Sequence, residues 1–252
     1  MHKTLLFDQL TPVALYGKIK TLFPSEITML FESVVNTADG NFSFITIGAL
    51  ERLSYKDKTT HYTDQNGVEQ KLKENPFHFL KSYYASLDQA AYQAKAKEVG
   101  FSFVDGFIGF IGYDMVKVFE PVLEKSMDDL YDPLNTPDMD LVRPSIIMAY
   151  SHKNAKLTLI LNDPCMNNAF IEIEKSLGDI CTPMSLQPVE LESEGEFSVA
   201  EERFKEMVDE CKAHIRAGDI FQILLSNRYT QKGKIDPLSF YRVLRSKNPS
   251  PY

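Results

Sequence analysis

The sequence predicts an α+β fold, and three patterns in its 252 residues support that prediction. Segments rich in Ile, Phe, Thr and Tyr, typical of strands, alternate with helix-type segments over residues 1–160. Two of the strand segments, Ser145–Ser151 and Lys156–Leu161, are separated only by a short polar turn, as in a β-hairpin. Towards the C-terminus, a helix, a strand and a second helix follow one another.

The N-terminal elements come in the order helix, strands, helix, strand, loop and hairpin. The first helix is predicted at Val13–Leu22. A second, longer helix is predicted at Pro76–Glu98, because Pro76 suits a first-turn position and Gly100 suits a helix end. The remaining predicted strands are Ile27–Phe31, Phe42–Leu50 and Gly106–Tyr113, and the proline-rich stretch Met127–Pro144 is predicted to be loop.

After the hairpin, a helix is predicted at Met166–Leu177, and a proline-containing acidic connector follows. Ser198 with Glu201 has the spacing of a capping box, so a helix is expected to begin there and to end at Gly218. The alternation in Asp219–Thr230 predicts a strand, and a last helix is predicted from Asp236 to Ser246. A strand in this position needs further strands to pair with, so we expect the chain to continue beyond Tyr252 in the intact protein.

Composition excludes several classes of function. A net charge of −8, with no long run of Lys or Arg, argues against nucleic-acid binding. No apolar stretch is long enough for a membrane helix, and the N-terminus does not resemble a secretion signal. Three widely spaced cysteines fit neither a disulfide framework nor a zinc site, so a cytoplasmic protein with reduced thiols is expected.

Two local patterns are candidates for function. On the predicted strand at 219–230, Gln222, Ser226 and Arg228 share one face, which is either solvated or lines a site. The triplet spacing of Gly106, Gly109 and Gly112 is not the dinucleotide-binding fingerprint, and close backbone packing or a bend is the expected reason for these glycines.

Several segments together resemble the chorismate-utilising enzymes, in particular the anthranilate synthase component I family. They are Pro12–Tyr16, Leu30–Ser33, Gly106–Asp114, Ile215–Ser226 and Asn248–Tyr252, and the most specific is Ala-Gly-Asp-Ile-Phe-Gln at 217–222. The resemblance implies antiparallel sheets packed between helices. It also implies three parts: an N-terminal region at 1–161, a connector at 162–197 and the start of the chorismate-binding region at 198–252.

Members of this family convert chorismate and ammonia into anthranilate and pyruvate in tryptophan biosynthesis. The ammonia comes from glutamine through a glutamine amidotransferase subunit. The resemblance implies Mg²⁺ as cofactor, with its ligands beyond residue 252 and none in this chain, so the chain by itself is expected to be inactive. The alternatives are an aminodeoxychorismate synthase component I and a tryptophan-binding regulatory fragment without catalysis.

Gln222 is the candidate catalytic residue in this chain. Relatives that add water to chorismate, and make isochorismate or salicylate, carry a lysine at this position. Water needs a base to remove its proton, whereas neutral ammonia already has a free lone pair. A neutral amide at position 222 therefore favours an amine-transferring enzyme.

The resemblance also implies a feedback site for L-tryptophan. Its residues in this sequence are Pro12, Glu32, Ser33, Pro251 and Tyr252. Glu32 is suited to the ligand ammonium, Ser33 to its polar end, and Pro251 with Tyr252 to the indole ring.

Overall fold

A computed structural model describes residues 1–32, 42–127, 132, 134–179 and 184–248. These residues divide into two units, one comprising the described residues up to 179 and the other residues 184–248. The first unit contains β1 (His2–Leu6), α1 (Pro12–Leu22), β2 (Thr28–Phe31), β3 (Phe42–Ile47), β4 (Glu51–Lys56), β5 (Thr59–Thr63), β6 (Glu69–Leu72), α2 (Pro76–Ser86), α3 (Gln89–Val99), β7 (Ile108–Ile111), α4 (Val116–Phe119), α5 (Glu124–Met127), β8 (Met139–Arg143), β9 (Ile146–Ser151), β10 (Lys156–Leu161) and α6 (Asn167–Ser176).

The first sheet of this unit has the strand order β1-β10-β9-β3-β2, and its pairings are antiparallel. One face packs against α1 and α6 through a core that includes Leu15, Ile45 and Phe170. The other face packs against α3 and the segment that follows it, through Phe44 and Val104 among others. The predicted fold class, antiparallel sheet packed between helices, is confirmed.

The second sheet has the order β6-β5-β4-β8-β7 and is also antiparallel. Its core contains Leu53, Met115 and Met139, and side chains of α2 pack against it. The strand β8 lies inside the stretch that was predicted to be loop, and that prediction was wrong for residues 139–143. The prolines at 137 and 144 bound a short strand that is stabilised by pairing with β4 and β7 on both sides.

The predicted helix Pro76–Glu98 is two helices. The side chain of Asp88 accepts hydrogen bonds from the backbone N–H groups of Ala90 and Ala91, both at 3.0 Å, and so caps a new helix start. This local capping interrupts the helix despite continuous helix-forming composition. The predicted end at Gly100 is confirmed, because this residue has the left-handed conformation at φ 83°.

The glycines of the 106–112 stretch are positions of close packing, as predicted. A Cβ on Gly109 would lie 2.1 Å from the carbonyl oxygen of Asp140, and one on Gly112 would lie 2.8 Å from that of Asp138. Both contacts are with the neighbouring β8 segment. A side chain at either position would therefore separate β7 from its only partner strand among the described residues.

The second unit contains β11 (Glu190–Leu191), β12 (Glu196–Phe197), α7 (Glu201–Ala217), β13 (Tyr229–Thr230), β14 (Gly233–Lys234) and α8 (Pro237–Lys247). It holds two small antiparallel pairs, β11 with β14 and β12 with β13. The predicted ends of the helices are confirmed at Gly218, which has φ 85°, and at Asp236, whose side chain accepts a hydrogen bond from Ser239 N at 2.7 Å.

Two predictions in the second unit were wrong. Ser198 does not cap α7, because its hydroxyl donates to Asn227 Oδ1 at 3.0 Å and the helix starts after Ala200 without a side-chain cap. The predicted strand Asp219–Thr230 is reduced to Tyr229–Thr230. A strand exists only where a neighbour accepts its hydrogen bonds, and among residues 184–248 that neighbour is the two-residue β12.

Candidate functional site

Pro12 and Glu32 lie at the same end of a helix–strand pair. Pro12 is the first residue of α1 and is buried, and Thr11 caps the helix by accepting a hydrogen bond from Ala14 N at 3.3 Å. The helix packs beside β2, to which the short segment 23–27 connects it, so the two elements run antiparallel. The start of α1 and the end of β2 therefore lie at the same end of this pair, and each carries one residue implied for the tryptophan site.

Glu32 directly follows β2 and is only 3% exposed. Carboxylates are seldom buried this far unless they have a partner, because transfer of a charge from water is costly. Glu32 has an interaction partner within the chain. An ionised carboxylate accepts several hydrogen bonds, so this side chain retains the chemistry needed to receive an ammonium group.

Ser33, Pro251 and Tyr252 lie outside the described residues. Their approach to Glu32, and the tryptophan pocket as a whole, stay predictions.

Gln222 lies in the second unit, in the segment between α7 and β13. Gln222, Ser226 and Arg228 are all exposed, and residues 222–228 have no regular secondary structure. The neighbouring Phe221 is 94% exposed and Leu224 is 89% exposed, so apolar side chains of this segment are also in solvent. The shared strand face that was predicted for the three polar residues is therefore not formed, and the catalytic role of Gln222 stays a prediction.

A largely buried ionic cluster lies at the end of the second sheet of the first unit, and sequence analysis missed it. Arg143 donates from Nε and Nη2 to the two carboxylate oxygens of Asp105, at 2.8 and 2.6 Å, and from Nη1 to Glu51 Oε2 at 2.8 Å. Tyr83 donates to Glu51 Oε2 at 2.5 Å, and Tyr62 donates to Glu51 Oε1. These residues come from β4, β5, α2, the segment before β7, and β8.

The cluster perturbs the pKa values of its members in a consistent direction. The hydrogen bonds to Asp105 raise the pKa of Arg143 above its ordinary value. Burial, followed by the hydrogen bond to Glu51, raises the pKa of Tyr62 and of Tyr83 well above the ordinary value. The arginine is therefore held in its charged form and the two phenols in their neutral form.

The position of the cluster explains what it does. Glu51 and Arg143 form a pair in the β4–β8 ladder, next to the point where this strand pair passes into β3 and β9. At that point Gly48 has φ 74°, and a Cβ there would lie 2.9 Å from Ser145 Oγ. The chain thus bends at a position that requires glycine, and the ionic cluster stabilises the second sheet beside the bend.

No spacing in the sequence indicates the cluster. Glu51 and Arg143 are 92 positions apart, and the residues adjoining Arg143 were interpreted as proline-rich loop. The charged and phenolic groups of the cluster are hydrogen-bonded to one another, so this geometry supports a structural role rather than catalysis.

Within the residues that the structure describes, no group of three or more His, Cys, Asp or Glu side chains has a geometry that could hold a metal ion. These residues therefore do not fit a Mg²⁺ site. The same residues include no helix with the length and apolar character needed to cross a membrane.

The sequence profile of the family described as "chorismate binding enzyme" matches residues 32–252. The chain is 29% identical over 259 aligned residues to anthranilate synthase component 1 of Neisseria gonorrhoeae, covering 98% of this chain and 51% of that protein. It is 27% identical to the protein of the same name from Lactococcus lactis, covering 99% of this chain and 53% of that protein. The chain spans about half the length of the curated relatives it matches.

Among solved structures, the chain is similar to anthranilate synthase component I from Streptococcus pneumoniae. The TM-score is 0.65 at 22% identity, and the match covers 98% of this chain and 53% of that chain. This likeness supports the fold described above.

Proposed function

Because this chain belongs to the chorismate-binding enzyme family, we propose that it is the N-terminal part of an anthranilate synthase component I. The observation that carries the proposal is the family match over residues 32–252, together with relatives named anthranilate synthase component 1 that align with nearly the whole chain. The protein acts in the cytoplasm, in the synthesis of tryptophan.

The proposed reaction consumes chorismate and ammonia and yields anthranilate, pyruvate and water. Ammonia attacks the ring, the ring hydroxyl leaves as water, and elimination of the side chain as pyruvate makes the ring aromatic. A glutamine amidotransferase subunit supplies the ammonia. Mg²⁺ would stabilise the negative charge of the substrate, with ligands beyond residue 252.

Gln222 is proposed to orient the attacking ammonia. A neutral amide can both donate and accept a hydrogen bond. Neutral ammonia carries a free lone pair, so it needs no base to make it a nucleophile. Because Gln222, Ser226 and Arg228 are exposed, their polar groups are accessible to a substrate or to other segments of the full-length protein.

L-Tryptophan is proposed to bind at the end of α1 and β2 and to inhibit the enzyme. The proposal is supported by the position of Pro12 at the start of α1 and of the buried Glu32 directly after β2, at the same end of this helix–strand pair. The ligand would bind Glu32 through its ammonium, with Ser33, Pro251 and Tyr252 completing the pocket. Binding that differs between active and inhibited states supplies a coupling free energy of typically about 1–3 kcal/mol.

A tryptophan-binding unit without catalysis is the second candidate for the chain by itself. The chain contains all the residues proposed for the tryptophan site but spans about half the length of its relatives.

The test compares this chain with the full-length protein that carries it. Each is incubated with chorismate, Mg²⁺ and ammonium, and anthranilate is measured by its fluorescence. We expect product from the full-length protein and none from the chain, because the described residues offer no metal site. Anthranilate from the purified chain would contradict the assignment of catalysis to further residues. Aminodeoxychorismate from the full-length protein, detected as 4-aminobenzoate after addition of the corresponding lyase, would replace the proposed product.

A further inference from the structure

Two polar side chains, Ser43 and His152, meet at the end of the first sheet, on the face that α1 covers, and Glu32 directly follows the neighbouring strand β2. The β2–β3 ladder ends with the pair Phe31 and Phe44, so Glu32 and Ser43 are the next residues in this register. Directly opposed residues place their side chains on the same face of a sheet. Both side chains are buried, Ser43 to 1% exposure. Ser43 Oγ lies 2.8 Å from Nε2 of His152.

His152 is held in a defined orientation. It follows β9 in the turn to β10, and its ring meets that of Tyr150 edge-on, with centroids 5.1 Å apart. Tyr150 is also the ladder partner of Ser43 across β3 and β9. His152 is exposed, so this end of the polar group is accessible to a ligand, whereas Glu32 and Ser43 form its buried side.

The rest of this sheet face is apolar. Ser43 is two residues from Ile45, which is 1% exposed and packs with Leu15 and Ile19 of α1. Polar side chains that converge at the margin of an apolar core are an arrangement typical of small-molecule sites. An acceptor, Glu32, thus follows the strand next to that of Ser43, whose hydroxyl is a potential donor. His152 follows β9, one strand further on, and its imidazole is a second potential donor beside the Ser43 hydroxyl.

We propose that Ser43 and His152 bind the carboxylate of the α-amino acid whose ammonium group is received by Glu32. The inference rests on the proposed tryptophan site and adds the residues that recognise the other charged end of the ligand. An α-amino acid carries both charges on one carbon, so its recognition requires an acceptor and donors within a few ångströms of each other. Adjacent strands, about 4.8 Å apart, provide that separation.

The chain contains no tryptophan residue, so the indole fluorescence of an added ligand can be measured without a contribution from protein tryptophan. The test uses this property. The chain is titrated into L-tryptophan and, separately, into tryptamine, which lacks the carboxylate. We expect the parent chain to bind L-tryptophan about tenfold or more tightly than tryptamine, as one charge-assisted interaction would produce.

The variants His152→Gln and Ser43→Ala should lose that preference, because they weaken binding of L-tryptophan while leaving tryptamine binding unchanged. The matched control is His78→Gln, an exposed histidine on α2, which should keep the parent preference. Circular dichroism of each variant reports its fold. If Ser43→Ala fails to fold, His152→Gln in the exposed turn tests the same recognition.

The outcomes separate this inference from the proposed function. If His152→Gln keeps the parent preference for L-tryptophan over tryptamine, the inference is overturned but the proposed tryptophan site is not. The Ser43–His152 hydrogen bond then has only a structural role. A parent chain that binds neither ligand overturns the proposed tryptophan site and this inference with it.

Discussion

Replacement of Arg143 by methionine tests the energetic role of the ionic cluster. The substitution removes three hydrogen bonds to Asp105 and Glu51 and keeps an unbranched apolar side chain in place of the aliphatic part of arginine. The side chain of Glu51 is 7% exposed and that of Asp105 is 25% exposed. The first carboxylate therefore remains buried with two tyrosine donors, while the second can regain part of its hydration.

The expected cost is about 3 kcal/mol. Removal of one partner from a buried ion pair typically destabilises a protein by about 3–5 kcal/mol, because an uncompensated charge remains inside. The lower end applies because Asp105 is partly exposed and the two phenols still solvate Glu51. Such a loss is a large fraction of the roughly 5–15 kcal/mol that stabilises a typical domain.

The matched control is Arg52→Met. Arg52 also binds a carboxylate through two nitrogens, since it donates to the two oxygens of Asp140 at 2.8 and 2.5 Å. It follows Glu51 directly on β4. Its side chain is 45% exposed, however, and surface pairs contribute about 0–1 kcal/mol. The two variants thus differ mainly in burial of the pair.

The measurement is urea unfolding of each variant followed by far-ultraviolet circular dichroism. With a denaturant dependence of about 2 kcal/mol/M, the Arg143 variant should lose about 1.5 M in its midpoint and the Arg52 variant less than about 0.5 M. A second substitution, Glu51→Gln, should recover part of the loss in the Arg143 background, since it removes the buried charge. Equal midpoints for the two arginine variants would refute the account.

Three further predictions concern tyrosine ionisation and the proposed sites. Tyr62 and Tyr83 should ionise only well above their ordinary pKa of about 10, as followed by phenolate absorbance. Because their folded pKa values are raised, the stability they confer is complete below about pH 10 and declines as pH rises further, and Tyr83→Phe should reduce that decline. In the full-length protein, Gln222→Lys should lower ammonia-dependent formation of anthranilate by about tenfold or more and allow some attack by water, so unchanged kinetics would disprove its role. Glu32→Ala or Ser33→Ala should weaken inhibition by tryptophan by about tenfold or more while the uninhibited rate stays within about twofold, and inhibition as tight as in the parent would reject the site.

Elements with a strong local signal could be predicted from the sequence. The first helix, predicted at Val13–Leu22, is observed from Pro12 to Leu22, and the β9–β10 hairpin follows from two apolar strands around a polar turn. The ends of α3 and α7 follow from Gly100 and Gly218, which adopt the left-handed conformation that glycine tolerates best. The family resemblance rested on short segments, and a relative named anthranilate synthase component 1 aligns with nearly the whole chain.

Elements that depend on distant partners could not be predicted in this way. The strand β8 looked like a proline-rich loop until β4 and β7 paired with it, and the alternating segment at 219–228 found no such partner among residues 184–248. Ser198 had the spacing of a helix cap, yet its hydroxyl bonds to Asn227, which is distant in sequence. Alternation and spacing describe what a segment can do, whereas hydrogen bonds to other segments determine which possibility is realised.

The candidate sites divide in the same way. The sequence by itself determined which residues have the right chemistry, such as the carboxylate of Glu32 and the amide of Gln222, because those properties belong to the side chain alone. Only the tertiary structure decided that Glu32 is buried, and that Arg143 meets Glu51 from 92 positions away. Burial and pairing arise when strands remote in the chain become neighbours, and no local pattern encodes that proximity.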